Sequence, residues 1–282
     1  MLAFTFPDFA VTVEEEKKQA ADPKAAEEVK SELNEIIGLS EVKDYVLSLE
    51  QNYIIQRLRE ARGMKADVPT MHMIFTGNPG TGKTTIARLV SRYLKAMGVL
   101  SGGQLIEVTR ADLVGKYVGH TAPLTQQVIR SALGGVLFID EAYSLYRGAD
   151  DSFGLEAIDT IVKGMEDHRE DLIVILAGYT KEMEAFLTAN SGLRSRFPNI
   201  IEFPDYTVDE AVSIFKSMAE KAGLHVSREG IEKFKERYEI ELTKSDFGNA
   251  RTVRNILDES ISKHALRLTR DKKAKPNLIT SA

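Results

Sequence analysis

The segment from Gly77 to Thr84 has the residue types and spacing of a phosphate-binding loop. It reads Gly-Asn-Pro-Gly-Thr-Gly-Lys-Thr, which is the full pattern G-x-x-x-x-G-K-T. Glycines let a backbone curl tightly and turn its N–H groups inward, and a helix that starts directly after the loop adds its positive end there. The pattern therefore predicts that Lys83 reaches the β- and γ-phosphates of a nucleotide and that the Thr84 hydroxyl binds Mg²⁺.

Two carboxylates, Asp140 and Glu141, follow directly after the apolar run Val136–Ile139. An aspartate at the tip of a buried strand can hold Mg²⁺ through its water shell. Glu141 is expected on the opposite side of the strand, where it could orient or deprotonate the water that attacks the γ-phosphate. The alternative is that Glu141 is a polar strand end facing solvent. The N-K-x-D box that reads guanine in GTPases is absent from the sequence, so ATP is the predicted nucleotide.

The elements that must position these groups can be inferred from the pattern of apolar residues. From residue 70 onward, short apolar runs alternate with amphipathic helical segments, which predicts a mostly parallel sheet flanked by helices. Near Phe203-Pro204 the alternation stops, and three helical segments follow, the first opened by a capping box of Thr207 and Glu210. The predicted fold class is α/β, with a small all-helical C-terminal domain.

Three units are predicted along the chain. They are a helical N-terminal leader over residues 1–35, an α/β nucleotide-binding domain over 36–204 and a helical lid domain over 205–282. Residues 14–35 are dense in Glu, Lys and Ala, with Pro23 as an internal break. Their composition leaves two interpretations open, a solvated or frayed leader and a docking arm.

Composition narrows the class of protein. Among the 282 residues, 43% are hydrophobic and the net charge is −5, which argues against a broad basic surface for nucleic acid but leaves room for a local basic groove. The chain has no cysteine, which excludes disulfides and cysteine nucleophiles. No run approaches the roughly 20 apolar residues that cross a bilayer, and the N-terminus lacks a basic leader. These features predict a cytoplasmic protein without a membrane anchor.

The phosphate loop, the Asp140-Glu141 pair and the helical C-terminal part together resemble the AAA+ superfamily of P-loop ATPases, over about residues 33–270. Within it the chain is similar to the CbbX/SpoVK (CfxQ) group, which contains a red-type Rubisco activase, a sporulation protein and the ATPase parts of type VII secretion factors. The stretches that carry this resemblance are FTGNPGTGKTT, VTRADLVGKYVGHTAP, GGVLFIDEAYSLYR, VILAGY, GLRSRF and FPDY.

The resemblance implies an AAA+ domain with a helical lid, Walker A and Walker B motifs, and bound ATP with Mg²⁺. Ile37-Gly38 resembles the segment that lies against adenine, although a helix-start glycine is the alternative. Thr84 and Asp140 are the implied metal ligands. The residues assigned to nucleotide binding are Ile37, Gly38, Gly77, Asn78, Pro79, Gly80, Thr81, Gly82, Lys83, Thr84 and Thr85.

Four arginines resemble residues that respond to the γ-phosphate in this superfamily. Arg194 and Arg196 lie in the arginine-finger region, where one of them would reach the neighbouring subunit's site; a surface salt bridge is the alternative for either. Arg251 resembles the sensor-2 arginine of the lid, and Arg254, one turn later, is its rival. The chain departs from many AAA+ proteins at sensor 1, where it reads Ala-Gly-Tyr-Thr over 177–180.

The segment Lys116, Tyr117, Val118 and Gly119 resembles the first pore loop of AAA+ motors that thread polypeptides. Tyr117 would grip a chain by its aromatic face, and flanking glycines would let the loop move. A tyrosine packed on its own domain is the alternative interpretation.

These features together predict a Mg·ATP-hydrolysing ring ATPase, a hexamer that forms with ATP and remodels a protein partner. Two other functions remain open, a nucleotide-switched scaffold with slow turnover and, less favoured by the acidic charge, a nucleic-acid motor. The sequence does not distinguish among Rubisco, a sporulation component and a secretion component as the partner. It also does not reveal whether a sugar-phosphate effector is needed.

Overall fold

A computed structural model of the chain describes residues 21–64, 70–244, 247–270 and 275–280. Helices and strands alternate along most of the chain, and a 3₁₀ turn over Ala142–Leu145 follows β3. In chain order the elements are α1 (Pro23–Glu35), α2 (Ser40–Ala61), β1 (Met73–Gly77), α3 (Lys83–Ala96), β2 (Leu105–Val108), α4 (Arg110–Leu113), α5 (Thr121–Ala132), β3 (Val136–Ile139), α6 (Ser152–Asp167), β4 (Ile173–Gly178), α7 (Thr180–Ala189), α8 (Ser191–Arg196), β5 (Asn199–Phe203), α9 (Val208–Lys221), β6 (His225–Val226), α10 (Arg228–Leu242), α11 (Ala250–Arg270) and β7 (Leu278–Ile279).

The central sheet is parallel, with strand order β2-β3-β4-β1-β5. The predicted parallel sheet is therefore confirmed. Strand β5 was not assigned from the sequence, and it pairs with β1 along its whole length from Met73↔Asn199 to Gly77↔Phe203. Because all five strands run the same way, the segments that follow β1, β3 and β4 meet at one edge of the sheet.

The core lies on both faces of the sheet, since successive residues of a strand point to opposite sides. On β1, Met73 and Phe75 pack into the core shared with α1, α2, α3 and the lid, whereas Ile74 packs against the helices of the other face. The strands β1, β3 and β4 are buried along their whole length, which explains why they read as continuous apolar runs.

Helix α1 packs against α3 rather than extending into solvent. Its Asp22 N-cap accepts bonds from the N–H groups of Lys24 and Ala25, both at 3.1 Å, and Pro23 occupies the first turn. The apolar residues Ala26, Val29 and Leu33 are buried in the main core. Residues 23–35 are thus part of the packed domain, while residues 1–20 of the predicted leader lie outside the described residues.

The C-terminal part is a helical lid, as predicted, formed by α9, α10 and α11. Thr207 and Glu210 form the expected capping box at the start of α9. Two strands of two residues each, β6 and β7, pair in parallel within it, so the lid is not purely helical. Strands this short carry no period in the sequence, which is why they were not predicted.

Across the described ranges, no helix combines the length and the apolar character that crossing a bilayer requires.

Candidate functional site

A cavity of about 690 Å³ opens at the edge of the sheet where β1, β3 and β4 end. Its walls come from the phosphate loop, the connection between α1 and α2, and the lid helices α9 and α11. The predicted site residues that line it are Ile37, Pro79, Gly80, Gly82, Lys83, Thr84, Thr85, Asp140, Glu141, Arg251 and Arg254. Groups predicted from four separate parts of the sequence therefore face one cavity.

The phosphate loop runs directly from the buried strand β1 into α3. Gly77, Gly80 and Gly82 all have positive φ, which lets the chain turn back on itself before the helix begins at Lys83. The Lys83 ammonium donates bonds to the carbonyl oxygens of Gly77 and Asn78, each at 2.8 Å. The first turn of α3 and this ammonium bring positive charge to the cavity, as an anionic ligand requires.

Burial and the nearby carboxylates act in opposite directions on the pKa of Lys83. Burial lowers the pKa of its ammonium to about 8, while the carboxylates of Asp140 and Asp205 act in the raising direction and Arg251 in the lowering direction. A lysine that has lost part of its hydration gains more from an anionic partner than an exposed lysine does. The partly dehydrated Lys83 ammonium therefore favours a phosphate group as its partner.

Asp140 and Glu141 leave the end of β3 at the cavity wall. Glu141 adopts a left-handed backbone conformation with φ 48°, and its N–H donates to the Asp140 carboxylate at 3.0 Å. The left-handed residue follows directly after the strand, and both carboxylates line the cavity. A carboxylate in this place can accept a proton from a water molecule beside the phosphates.

The apolar wall of the cavity lies between α1 and the lid. Ile36, Ile37 and Leu39 contribute from the α1–α2 connection, and Ile214 and Met218 contribute from α9. Aliphatic side chains on two sides can accept the faces of a flat base such as adenine.

Four of the predicted nucleotide-binding residues, Gly38, Gly77, Asn78 and Thr81, do not line the cavity. Gly38 lies against Glu210 and Tyr206, and Gly77 lies against β5 at Phe203. The Asn78 amide donates to the Asp205 carboxylate at 2.9 and 3.0 Å, and the buried Thr81 hydroxyl donates to the Asn78 carbonyl at 2.9 Å.

The four predicted arginines fall into two groups. Arg251 and Arg254 start the lid helix α11 and both line the cavity, so the structure does not separate sensor 2 from its rival. Arg194 and Arg196 lie on the short helix α8, outside the cavity lining. Arg196 is paired with Glu166 of its own chain, to which its Nε donates at 2.9 Å. Arg194 is exposed and has no ion pair with another described residue.

At the sensor-1 position, Tyr179 lies against Tyr143, a residue of the turn that follows Asp140 and Glu141. Gly178 and Tyr179 line the cavity, and the Tyr179 ring stacks on that of Tyr143 with 5.7 Å between centroids. Burial, followed by the negative charge of Glu141, raises the pKa of the Tyr143 hydroxyl to about 12. Tyr179, stacked on Tyr143, thus stands where many AAA+ proteins have Asn or Thr.

The predicted pore loop is at the surface, between α4 and α5. Lys116, Tyr117, Val118 and Gly119 are all exposed, with 69% of Tyr117 and 89% of Val118 accessible to solvent. The Tyr117 ring makes an edge contact with His120, with centroids 5.5 Å apart. Tyr117 is therefore not a buried core residue, and its contact with His120 is the aromatic contact it makes with its own domain among the described residues.

A network behind the phosphate loop was not predicted from the sequence. The Asn249 amide donates to the Asp205 carboxylate at 2.7 Å and accepts the N–H of Tyr206 at 2.9 Å. Asn249 is completely buried, with a positive φ of 48°. These residues lie in the stretches FPDY and GNAR. Their contact could not be predicted from the sequence because Asp205 and Asn249 are 44 positions apart.

The two parts of the chain match two different protein-family models. Residues 73–205 match the ATPase family associated with various cellular activities (AAA), and residues 207–280 match the AAA lid domain. Both matches agree with the α/β part and the helical lid seen in the structure.

Several characterised proteins are similar over most of the chain. Stage V sporulation protein K of Bacillus subtilis is 44% identical over 94% of this chain and 83% of its own length. A chloroplastic ribulose bisphosphate carboxylase/oxygenase activase of Cyanidioschyzon merolae is 45% identical, covering 83% of this chain and 77% of the activase. Protein CbbX of Cereibacter sphaeroides is 44% identical, covering 86% and 79% respectively.

Solved structures show the same fold at much lower identity. The AAA domain of FIGL-1 in complex with ADP aligns with a TM-score of 0.61 and 18% identity, covering 86% of this chain and 79% of that one. Thermotoga maritima RuvB, a Holliday junction branch migration motor, aligns with a TM-score of 0.57 and 21% identity, covering 86% and 67%. These likenesses concern the fold alone.

Proposed function

This chain belongs to the AAA family of ATPases, and from that premise we propose that it forms a ring of six subunits that remodels a protein partner. The observation that carries the proposal is the separation of two surfaces. One is a nucleotide cavity with Lys83 and Glu141, and the other is an exposed aromatic loop at Tyr117 that contributes nothing to the core.

The cavity fits ATP with Mg²⁺. Thr84 and Asp140 both line it and offer the oxygen ligands that Mg²⁺ prefers. Clusters of three or more acidic or histidine ligands are absent from the described residues, which suits an ion that takes most of its ligands from phosphates and water. When bound, Mg²⁺ would neutralise charge on the phosphates of the nucleotide.

Two side chains of this chain would act directly on hydrolysis. Lys83 would leave the loop carbonyls to hold the β- and γ-phosphates, since a partly dehydrated ammonium binds better to phosphate than to neutral oxygens. Glu141 would orient the attacking water and accept its proton on a carboxylate oxygen.

The site is completed by a second subunit. Arg194 lies outside its own cavity, is exposed and has no ion pair with another described residue, whereas Arg196 is held by Glu166. We therefore assign the finger to Arg194, which would reach the cavity of a neighbouring subunit and stabilise the charge that develops on the γ-phosphate.

The class of partner follows from the exposed loop. An aromatic face binds apolar and backbone surfaces without reading a sequence, which suits a polypeptide in a pore. The relatives' names make Rubisco and a sporulation component the first candidates for the partner.

The experiment compares Tyr117→Ala with Tyr117→Phe. ATP turnover is measured with and without casein as an unfolded polypeptide, and the reactivation of inhibited Rubisco is measured in parallel. Because Tyr117 is exposed, alanine should change the free energy of unfolding by no more than about 0.5 kcal/mol. We expect it to keep basal ATP turnover and to lose the response to protein, while phenylalanine retains most of that response. His168→Ala, a substitution of another exposed ring, is the control.

Two outcomes would contradict the proposal. An alanine variant that responds to protein like the wild type would remove the pore loop from the mechanism. A wild-type protein whose slow turnover responds to neither substrate would favour the nucleotide-switched scaffold.

A further inference from the structure

The start of the lid holds the phosphate loop by its carbonyl groups. The carbonyl oxygens of residues 79–81 each accept a hydrogen bond from the lid or from the segment that leads into it. The donors, in that order, are the Asn249 side chain at 3.3 Å, the Ala250 N–H at 3.2 Å and the Tyr206 hydroxyl at 3.1 Å. Three successive peptide groups of the loop are therefore fixed from one side.

Fixing a carbonyl also fixes the next N–H, because the C=O and N–H of a trans peptide are coplanar and point in opposite directions. The structure has no cis peptide bond in the described residues. The N–H groups of Gly80, Thr81 and Gly82 are thus directed away from the atoms that hold the carbonyls, and none donates to another described residue. Inward N–H groups of this kind are what bind phosphate in such loops.

A carboxylate between two amides keeps these donors in place. Both oxygens of Asp205 accept from Asn78, at 3.0 and 2.9 Å, and Oδ1 also accepts from Asn249 at 2.7 Å. The Asn249 amide oxygen accepts from the Tyr206 N–H at 2.9 Å. Both ends of the Asn249 amide are therefore engaged, and its orientation is determined.

The contact leaves no room for a side chain at Gly80. A Cβ at this residue would collide with the Gly248 carbonyl oxygen and would come within 3.2 Å of the Arg251 side chain. The loop and the first turn of α11 thus approach as closely as their backbones allow.

We propose that Asp205, Tyr206 and Asn249 are positioning residues that preorganise the phosphate loop for nucleotide binding, with Asp205 joining the loop to the lid. This inference rests on the proposed nucleotide site. Asp205 and Asn249 do not line the cavity, so they act through the direction of the loop N–H groups rather than by touching the nucleotide. Their loss weakens the binding of ADP as well as ATP, since the contacts to the loop do not depend on the γ-phosphate.

The test exchanges the carboxylate and the amide. Asp205→Asn removes the shared charge, and Asn249→Asp places two carboxylates against each other, so each single variant should bind ADP about tenfold more weakly. The double variant again joins one carboxylate to one amide, and the carboxylate now at position 249 still accepts the Tyr206 N–H. It should therefore recover part of the wild-type affinity, since the bond to the Pro79 carbonyl and one of the two bonds from Asn78 remain missing.

The dissociation constant of fluorescent ADP is measured for the wild type, the two single variants and the double variant. Thermal unfolding without nucleotide establishes that each is folded. Asp209→Asn and Asn52→Asp make the same chemical changes at exposed positions and should leave the affinity unchanged. If a single variant does not fold, Asn78→Ala breaks the same carboxylate contact from the exposed side and should also weaken ADP binding.

Folded single variants with wild-type affinity would overturn the inference, and so would a double variant no better than the weaker single one. Failure of the wild type to bind ADP would instead overturn the proposed nucleotide site.

Discussion

At the scale of single residues, the site depends on a lysine whose proton is weakly held. Burial is the main cause, and it lowers the pKa of Lys83 to about 8. Bound phosphates bring negative charge next to the ammonium and must raise that pKa. Nucleotide binding is therefore coupled to proton uptake by Lys83 at pH values above 8.

We expect the affinity for ADP to fall above pH 8, by up to about tenfold per pH unit. Without nucleotide, the Lys83 ammonium loses its proton as the pH rises through about 8. With nucleotide bound, the phosphates hold that proton to a higher pH, so binding weakens as the pH rises. Binding is measured by titration calorimetry at several pH values.

Lys83→Arg is the matched control for this prediction. Arginine stays charged throughout this range, so the variant, even if it binds more weakly, should show no comparable fall. A wild-type affinity that stays flat to about pH 9.5, or an equal fall in the arginine variant, would contradict the role given to Lys83.

At the scale of elements, one ion pair joins the segment before the exposed loop at Tyr117 to the segment that follows Glu141 in the cavity wall. Arg110, at the start of α4 before the exposed loop at Tyr117, forms a largely buried pair with Asp151 at 2.7 Å. Its guanidinium also donates to the carbonyls of Ser144 and Leu145, at 3.0 and 2.9 Å, in the turn that follows Glu141. The base of the exposed loop at Tyr117 is thus fixed to the segment that follows Asp140 and Glu141.

Removing this pair should destabilise the fold by an amount that depends on the substitution. Asp151 also caps α6 by accepting the Gly154 N–H at 3.1 Å. Asp151→Asn keeps the cap and leaves the buried Arg110 unpaired, which should cost about 3 kcal/mol. Asp151→Ala loses the cap as well, adding about 1 kcal/mol. Urea unfolding measures both, with the exposed Asp150→Asn as the control.

The pair also gives the stability a pH dependence of known sign. The bond from Arg110 holds the pKa of Asp151 below its usual value. The ion pair therefore contributes fully to the free energy of unfolding above about pH 4, the pKa of Asp151 in the unfolded chain. This contribution is lost as the pH falls through the lower pKa of Asp151 in the folded protein. The difference in unfolding free energy between the wild type and Asp151→Asn should shrink in that acid range. A constant difference would show that the variant acts through packing alone.

Elements marked by a short sequence pattern could be predicted from the sequence. Glycine spacing located the phosphate loop, and a fully buried run ending in two carboxylates located β3. Strand β5 was missed because its residues alternate in burial, with exposed Ile200 and Glu202 against buried Ile201 and Phe203, over only five positions. The junction of Asp205 with Asn78 and Asn249 could not be predicted, because it joins residues 127 and 44 positions apart.

At the scale of the whole molecule, the arginines of α8 suggest that one chain is half of an active site. Arg194 faces solvent outside its own cavity, while Glu141 lies inside it. A head-to-tail interface, which closes into a ring, would bring the Arg194 of one subunit to the Glu141 of the next. Activity would then depend on assembly, and ATP turnover per subunit should rise steeply with protein concentration.

Mixing two inactive variants tests this arrangement. Glu141→Gln keeps the shape of the side chain but cannot accept a proton, and Arg194→Ala lacks the proposed finger, so each alone should be nearly inactive. In a one-to-one mixture, a functional interface forms wherever an Arg194→Ala subunit provides Glu141 and a Glu141→Gln neighbour provides Arg194. Random assembly produces this combination at about a quarter of the head-to-tail interfaces, which sets the expected recovery of ATP turnover.

The control mixture contains Glu141→Gln and Lys83→Ala, because Lys83 belongs to the same cavity as Glu141. Whichever subunit provides the arginine, every cavity in that mixture lacks either the lysine or the glutamate, so no recovery should occur. Arg169→Ala removes another exposed arginine and should by itself retain full turnover. The arrangement is contradicted if the mixture of Glu141→Gln and Arg194→Ala has no more ATP turnover than the two variants measured separately, and if wild-type turnover per subunit does not depend on protein concentration. Each chain would then hold a complete site. The ring would then have no part in hydrolysis, because Arg194 would not act across an interface.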